Sequence, residues 1–314
     1  MKEYPMTFSE FTTRFATEEQ CRECLYQLRW PEGFVCPKCG KGGSAWLVGS
    51  TLYTCKNCRH QTSVIAGTIF QDTRKPLKEW FTAIWWVTTQ KTGASAMGLQ
   101  RVLGLKSYTT AWTWLQKIRK AMVYPNRTKL TGTVEVDECY IGGEEHDGKR
   151  GRGATENKSI VVIGIELPES DKKNQLGRVR MMVVPDVSGE SLVEKFIKKN
   201  VEPGSTVITD GWSGFNSLEA NGYMHVIPKK FEVADPKNIL PHVHMIVSLL
   251  KRWLLGTHQG AVQETHLQAY LDEYVFRFNR RMSADRGLLF YRLLECAMQV
   301  SPVTQDQLLG NKNW

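Results

Sequence analysis

Nowhere in these 314 residues is there an apolar run approaching the roughly 20 residues that a membrane-spanning helix needs. The opening MKEYPMTFSEF also lacks the apolar stretch of a secretion signal, so a soluble, cytoplasmic protein is expected. Internal repeats and low-complexity tracts are missing. With 41% hydrophobic and 23% charged residues the chain has an ordinary globular mixture, which excludes disordered, collagen-like and coiled-coil classes. At roughly 150 residues per domain, its length suits about two domains. The most telling scarcity is local: residues 33–125 hold two acidic residues, Asp72 and Glu79, against 13 basic ones. The net charge of +9 is therefore all N-terminal, because residues 126–314 carry 24 Lys and Arg against 24 Asp and Glu. A basic module joined to a charge-balanced one implies that the first part holds a polyanion and the second has another task.

Residues 5–30 read as a helix, with Thr17 as an N-cap, Glu18 and Glu19 in the first turn, and Leu25 and Leu28 at helical spacing. Residues 33–70 are punctuated by Gly and Cys, as in a small metal-held β module. From Pro76 to Met122 the pattern is helical again, with Leu77, Trp80, Phe81, Ile84 and Trp85 on one face, and Tyr124-Pro125-Asn126 forms a linker. Beyond it, TVEVDECYI, SIVVIGIEL and RVRMMVVPD are three β-branched runs with no helix between them, which predicts antiparallel pairing. A helix over SGESLVEKFIKKNV follows, then a fourth strand ending at Asp210 and a fifth in YMHVIP. Two last helices are predicted over residues 243–255 and 266–281.

Cys36-Pro-Lys-Cys39 and Cys55-Lys-Asn-Cys58 are C-x-x-C knuckles with 15 residues between them, the spacing of a four-cysteine zinc ribbon. Four thiolates close a tetrahedral shell, so this zinc would be structural. Cys21 and Cys24 share the spacing but lie in a predicted helix, which cannot converge two thiolates as a knuckle does. They read as core residues, as do Cys139 and Cys296.

Residues 92–122 contain two amphipathic segments broken at Gly104-Leu105. The second opens on Lys106-Ser107-Tyr108-Thr109-Thr110, after Arg101 in the first, and continues through Trp112, Trp114, Lys117, Arg119 and Lys120. That is the layout of a helix-turn-helix, whose second helix offers its N-terminal residues to duplex DNA. A plain helical hairpin with a basic exterior is the alternative.

In TVEVDE, strand alternation sends Glu135 and Asp137 to one face. Asp210 ends a later strand in VITDGWSGF, where Gly211 lets the backbone turn. Two carboxylates brought together across adjacent strands repel unless they share a divalent cation, and oxygen ligands favour Mg²⁺ or Mn²⁺. Surface salt bridging is the alternative reading of both acids.

Together, CPKCG, CKNCR, LGLKSYTTAWTWLQKIRKAM, EVDECYIGG, the basic loop GKRGRG, TDGWSGF, LLKRWLLGTHQG and YLDEYVFRFNRR resemble the ISXO2-like branch of the IS1595 family of bacterial insertion-sequence transposases, in order from about residue 8 to 300. The resemblance implies an α/β architecture: an RNase H-like catalytic domain over 126–314, preceded by an N-terminal helical segment over 1–32, a zinc ribbon over 33–70 and a helix-turn-helix-like DNA-binding region over 71–125. It implies DDE-type chemistry on element ends and target duplex, with structural zinc, catalytic Mg or Mn, and a homo-oligomer on DNA in the bacterial cytoplasm. By motif match the first acid is Asp137 and the second Asp210. The third position departs from the pattern. Counting back seven residues from Lys251, where such families carry Glu or Asn, gives His244. His244 is expected as the third metal ligand, and Lys251 with Arg252 as phosphate contacts. The DNA-contacting set is completed by Arg101, Lys106, Ser107, Tyr108, Thr109 and Lys117. A catalytically silent DNA-binding regulator and a nuclease without strand transfer are the competing readings.

Overall fold

The first helical stretch is divided because it carries two start signals. TFSE and TEEQ each place a threonine three residues before Glu or Gln, and both close reciprocal capping boxes. The Glu10 N–H donates to Thr7 Oγ1 at 3.2 Å and the Gln20 N–H to Thr17 Oγ1 at 3.3 Å. Helix α1 thus spans Phe8–Arg14 and α2 Glu18–Arg29, where periodicity alone predicts one helix. The structure, a computed structural model, describes residues 4–43, 45–90, 92–124, 126–142, 158–168, 176–229, 235–236, 238–259 and 262–309.

After α2 the chain forms a small antiparallel sheet from β1 (Ala45–Val48), β2 (Leu52–Cys55) and β3 (Gln61–Ser63). Three helices follow: α3 (Leu77–Thr89), α4 (Ala96–Leu103) and α5 (Tyr108–Ala121). Between the last two, Gly104 takes φ +62°, a left-handed conformation that glycine adopts without strain, so α4 stops and the chain turns into α5. Trp80 of α3 stacks on Trp114 of α5 with ring centroids 3.9 Å apart. Trp80, Trp85 and Trp114 are all buried, so these aromatics build the core of the basic region.

From residue 126 a second unit begins. Strands β4 (Thr133–Ile141), β5 (Ser159–Glu166) and β6 (Val179–Val184) pair antiparallel, as the succession of strand-like runs predicts. A π-helical segment, Glu190–Ile197, continues into a short α6 (Lys198–Asn200). Then come β7 (Thr206–Ile208) and β8 (Met224–Val226), each parallel to its inner neighbour, and helices α7 (Pro241–His258) and α8 (Glu264–Asn279). The sheet order is β6-β5-β4-β7-β8.

Alternation along the strands sends side chains to two separate cores. Cys139, Ile141, Val161, Ile163 and Met181 pack under α7 and α8, with Val243, Ile246, Leu250 and Leu271. Val134, Val136, Ile160 and Val162 pack on the opposite face with Leu192, Phe196 and Ile197. Covered on both sides, β5 reads as a continuous apolar run. The outer edge of β6 is met by side-chain amides of α8: the Val183 N–H donates to Gln268 Oε1 at 2.9 Å and the Val179 N–H to Asn279 Oδ1 at 2.8 Å. Backbone donors that would invite another strand are thereby occupied.

The expected domain over 126–314 ends early. Residues 283–314 cluster with residues 1–125, leaving 126–282 as the second unit. A helix absent from the sequence-based expectation, α9 (Arg286–Gln299), places fully buried Phe290 among Phe11, Phe15, Phe81 and Trp85, with ring centroids 5.3 to 5.9 Å apart. The reason is burial of apolar surface: the first unit's helices lack enough partners in their own stretch of chain, and α9 supplies one. A short α10 (Gln305–Leu309) follows.

Candidate functional site

In the ribbon, each knuckle is a turn whose amides point back at the first cysteine. The Gly40 N–H donates to the Cys36 carbonyl and the Arg59 N–H to that of Cys55, and both turn residues take left-handed φ, +68° and +60°. Cys36 and Cys58 Sγ atoms stand 3.6 Å apart, Cys39 and Cys55 3.9 Å, and all four sulfurs lie within 4.8 Å of one another. Sulfurs at 2.3 Å from a shared zinc would be roughly 3.8 Å apart, so the set fits the ion. Burial raises the Cys36 thiol, but the N–H groups of Cys39 and Lys38 outweigh it and bring it to about 7. The His60 N–H favours the Cys58 thiolate, yet burial and three neighbouring sulfurs push that thiol up to about 11. A cation removes this conflict by neutralising all four. Cys21, Cys139 and Cys296 are buried and Cys24 half-buried, outside that cluster.

The α4–α5 pair exposes Arg101, Lys106, Ser107, Tyr108 and Thr109 together at the turn and the start of α5, while Ala111, Trp114 and Leu115 face inward. Lys117 is half-buried, and burial lowers its pKa from the ordinary lysine value. Arg119, expected on the basic exterior of α5, is instead buried and donates to the Ala94 carbonyl at 2.8 Å, so it is a structural clamp.

In the second unit, β4 and α7 meet through the residues that alternation places on one face. Glu135 is buried and receives three donors from the first turn of α7: the His242 and Val243 N–H groups at 3.0 and 2.9 Å, and His242 Nδ1 at 2.6 Å. A carboxylate there satisfies the exposed amides and positive dipole end of the helix. Two residues along β4, Asp137 Oδ2 lies 3.1 Å from His244 Nε2, and His244 Nδ1 lies 2.5 Å from Asn238 Oδ1. Asp210, just beyond β7, accepts the Trp212 N–H at 2.9 Å before the chain turns at Gly211, which has φ +83° and Ile227 packed close by. Burial raises the Asp137 carboxyl above the ordinary carboxylate range; the negative charge of Asp210 adds to this, while the Glu138 N–H and the His244 ring oppose it.

Asp137 and His244 are thus in contact and Asp210 is near enough for its charge to be felt. The three do not close as tightly as the cysteines: among the described residues, the cysteine set alone gathers three or more His, Cys, Asp or Glu ligand atoms within 4.8 Å. Lys251 and Arg252 are exposed on α7, and the Lys251 charge reaches Cys139, two residues past Asp137 on the same strand face. The loop GKRGRG lies outside the described residues. Sequence reasoning did not single out Asn238 or the Glu135–His242 contact. A carboxylate at alternate register with Asp137 and a polar residue just before the helix were the available signals.

Residues 129–279 match the model of an ISXO2-like transposase domain and residues 16–61 that of a transposase zinc-ribbon domain. An uncharacterized protein in transposable element ISH50 of Halobacterium salinarum is 26% identical over 278 residues, covering 84% of this chain and 91% of that protein. A chain in a solved simian T-cell lymphotropic virus intasome, in complex with PP2A regulatory subunit B56 gamma, matches at 10% identity with a TM-score of 0.29, over 57% of this chain and 63% of that one. That likeness is too slight to bear on fold or function. In this order along one chain that already holds the four-cysteine cluster, the two matches make residues 16–61 and 129–279 similar to the zinc-ribbon and ISXO2-like domains of IS1595-type transposases.

Proposed function

We propose that the second unit is an active DDE-type site, which cleaves phosphodiester bonds at insertion-sequence ends and joins the freed 3′-OH to target duplex. The observation that carries the reading is the Asp137–His244 contact. With Nδ1–H donating to Asn238 Oδ1, His244 Nε2 would turn its lone pair toward the Asp137 carboxylate oxygen 3.1 Å away, two acceptors that a cation between them would reconcile. Asp137, Asp210 and His244 would hold divalent Mg or Mn, which would activate the attacking oxygen and steady the leaving one. The sheet order, three antiparallel strands followed outward from β4 by two parallel ones, supports the RNase H-like reading. Exposed Lys251 and Arg252 lie along the helix that carries His244, suited to DNA phosphates.

In the first unit, the exposed start of α5 with Arg101, Lys106, Ser107, Tyr108 and Thr109 would meet duplex DNA in helix-turn-helix fashion, with Lys117 flanking it. Zinc would hold the ribbon, and a homo-oligomer would gather two element ends. Among the described residues no helix is long and apolar enough to cross a membrane; the reaction would take place in the bacterial cytoplasm.

The test is an incubation of purified protein with Mn²⁺ and a labelled fragment carrying the element's own ends. Metal-dependent nicks and strand-transfer products are expected, and Asp137→Ala and Asp210→Ala abolish both. Nicks without joined products would reduce the protein to a nuclease, and binding without nicks to a DNA-binding derivative.

A further inference from the structure

The His244 side chain is more exposed than its partner in the candidate site, at 45% against 15% for Asp137. A neutral imidazole has one donor and one acceptor nitrogen, and only the acceptor can ligate a metal. Which nitrogen faces Asp137 with a lone pair is therefore a chemical decision that another residue must make. Two residues earlier on α7, His242 makes a different commitment, with its Nδ1 taken by the buried carboxylate of Glu135.

We propose that Asn238 is the positioning residue for His244: its side-chain oxygen holds the ring in the Nδ1–H form and turns Nε2 toward Asp137 as a metal ligand. The proposal rests on the reading of the Asp137 site as a divalent-metal centre. Asn238 lies two residues before the α7 N-cap, Leu240, and His244 is in the first turn and a half, so the segment entering the helix passes beside the ring. The contact at Nδ1 and the contact at Nε2 fix the imidazole at both ends. An amide oxygen suits the task. It accepts a hydrogen bond without adding charge, and outer partners of this kind commonly hold metal-ligating histidines in one tautomer and one orientation. The backbone supports the geometry independently, because Glu135 clamps the first turn of α7 onto the strand that carries Asp137.

The test uses the full-length, zinc-loaded protein free of Mg²⁺ and Mn²⁺ and labelled with ¹⁵N-histidine, recorded well above the ordinary histidine pKa of about 6.5. Comparison with His244→Ala identifies the signals of this ring. The expected spectrum shows the Nδ1–H tautomer in the wild type and in Asn238→Asp, which keeps an acceptor oxygen, and loss of that preference in Asn238→Ala. Mn²⁺ binding followed by electron paramagnetic resonance should weaken by about 10-fold or more in Asn238→Ala, with Asn238→Asp at least as tight as the wild type. An Nε2–H tautomer in the wild type, or an Asn238→Ala protein with unchanged tautomer and unchanged Mn²⁺ affinity, overturns the role of Asn238. If Asp137→Ala and Asp210→Ala bind Mn²⁺ like the wild type, the metal reading itself falls, and with it the ligand half of the proposal; the tautomer spectra separate that outcome from a failure at Asn238.

Discussion

His244 offers nitrogen where a carboxylate would offer oxygen, and hardness then sets the metal. Mg²⁺ prefers oxygen ligands, whereas Mn²⁺ accepts imidazole. His244→Ala should lose strand transfer, while His244→Glu should retain it and shift the preference from Mn²⁺ toward Mg²⁺, read as product yield with each metal. Wild-type yield from His244→Ala would make the residue structural. A second residue-scale effect concerns stability. Burial pushes the half-buried Asp272 carboxyl up to about 6, with Gln268, Arg127 and Lys199 pulling it back. A carboxyl whose folded pKa lies above its unfolded value of about 3.9 stabilises most when protonated, and that contribution is lost as pH rises from about 4 through 6. Asp272→Asn keeps the shape and removes the charge. It should therefore match the wild type below about pH 4 and exceed it by about 1–2 kcal/mol above pH 6, after discounting for partial exposure. Urea denaturation across that range checks it; a variant less stable at neutral pH contradicts the assigned cause.

At the scale of elements, the ribbon is a short sheet of strands of three or four residues, too small for a hydrophobic core of its own. Its folding energy would come from the metal. Purified protein should contain about one zinc per chain, and Cys36→Ser should release it and loosen residues 33–70 to proteolysis. Stoichiometric zinc retained after replacing both Cys36 and Cys58 would refute the assignment. The turn between α4 and α5 makes its own prediction. Lys106→Ala and Arg101→Ala should each flatten the slope of log K against log salt for duplex DNA by roughly one unit. Arg119→Ala should instead cost stability, because it strips a buried carbonyl of its donor.

For the whole molecule, the return of α9 to the first unit alters what an isolated DNA-binding fragment must contain. A fragment ending at residue 125 leaves bare the aromatic surface of Phe11, Phe81 and Trp85 that Phe290 covers. It should aggregate or bind the dye ANS, whereas the same fragment joined to residues 283–309 through a short linker should fold and bind duplex DNA. In the intact protein Phe290→Ala should destabilise the first unit by about 3–5 kcal/mol. A well-folded fragment over 1–125 would show that α9 is dispensable.

The sequence by itself determined the features that depend on neighbours in the chain. Two C-x-x-C knuckles are complete within a few residues each, alternation in VEVDEC places Glu135 and Asp137 on one face, and the three strand-like runs pair in succession. The break between α1 and α2 was also written there, in two capping boxes that apolar periodicity overlooks. Helix α9 was legible too, since Leu289, Phe290, Leu293, Leu294 and Ala297 recur at helical spacing. Which core it joins was not, because burial depends on which faces remain uncovered once the chain has folded. Arg119 and Glu135 show the same limit: a charged residue reads as surface until a carbonyl or a helix end more than 20 residues away is brought against it. The contact of His244 with both Asp137 and Asn238 likewise belongs to tertiary structure alone. It requires α7 to be anchored on β4, and orientation of a ring is fixed by its partners in space, which no local pattern contains.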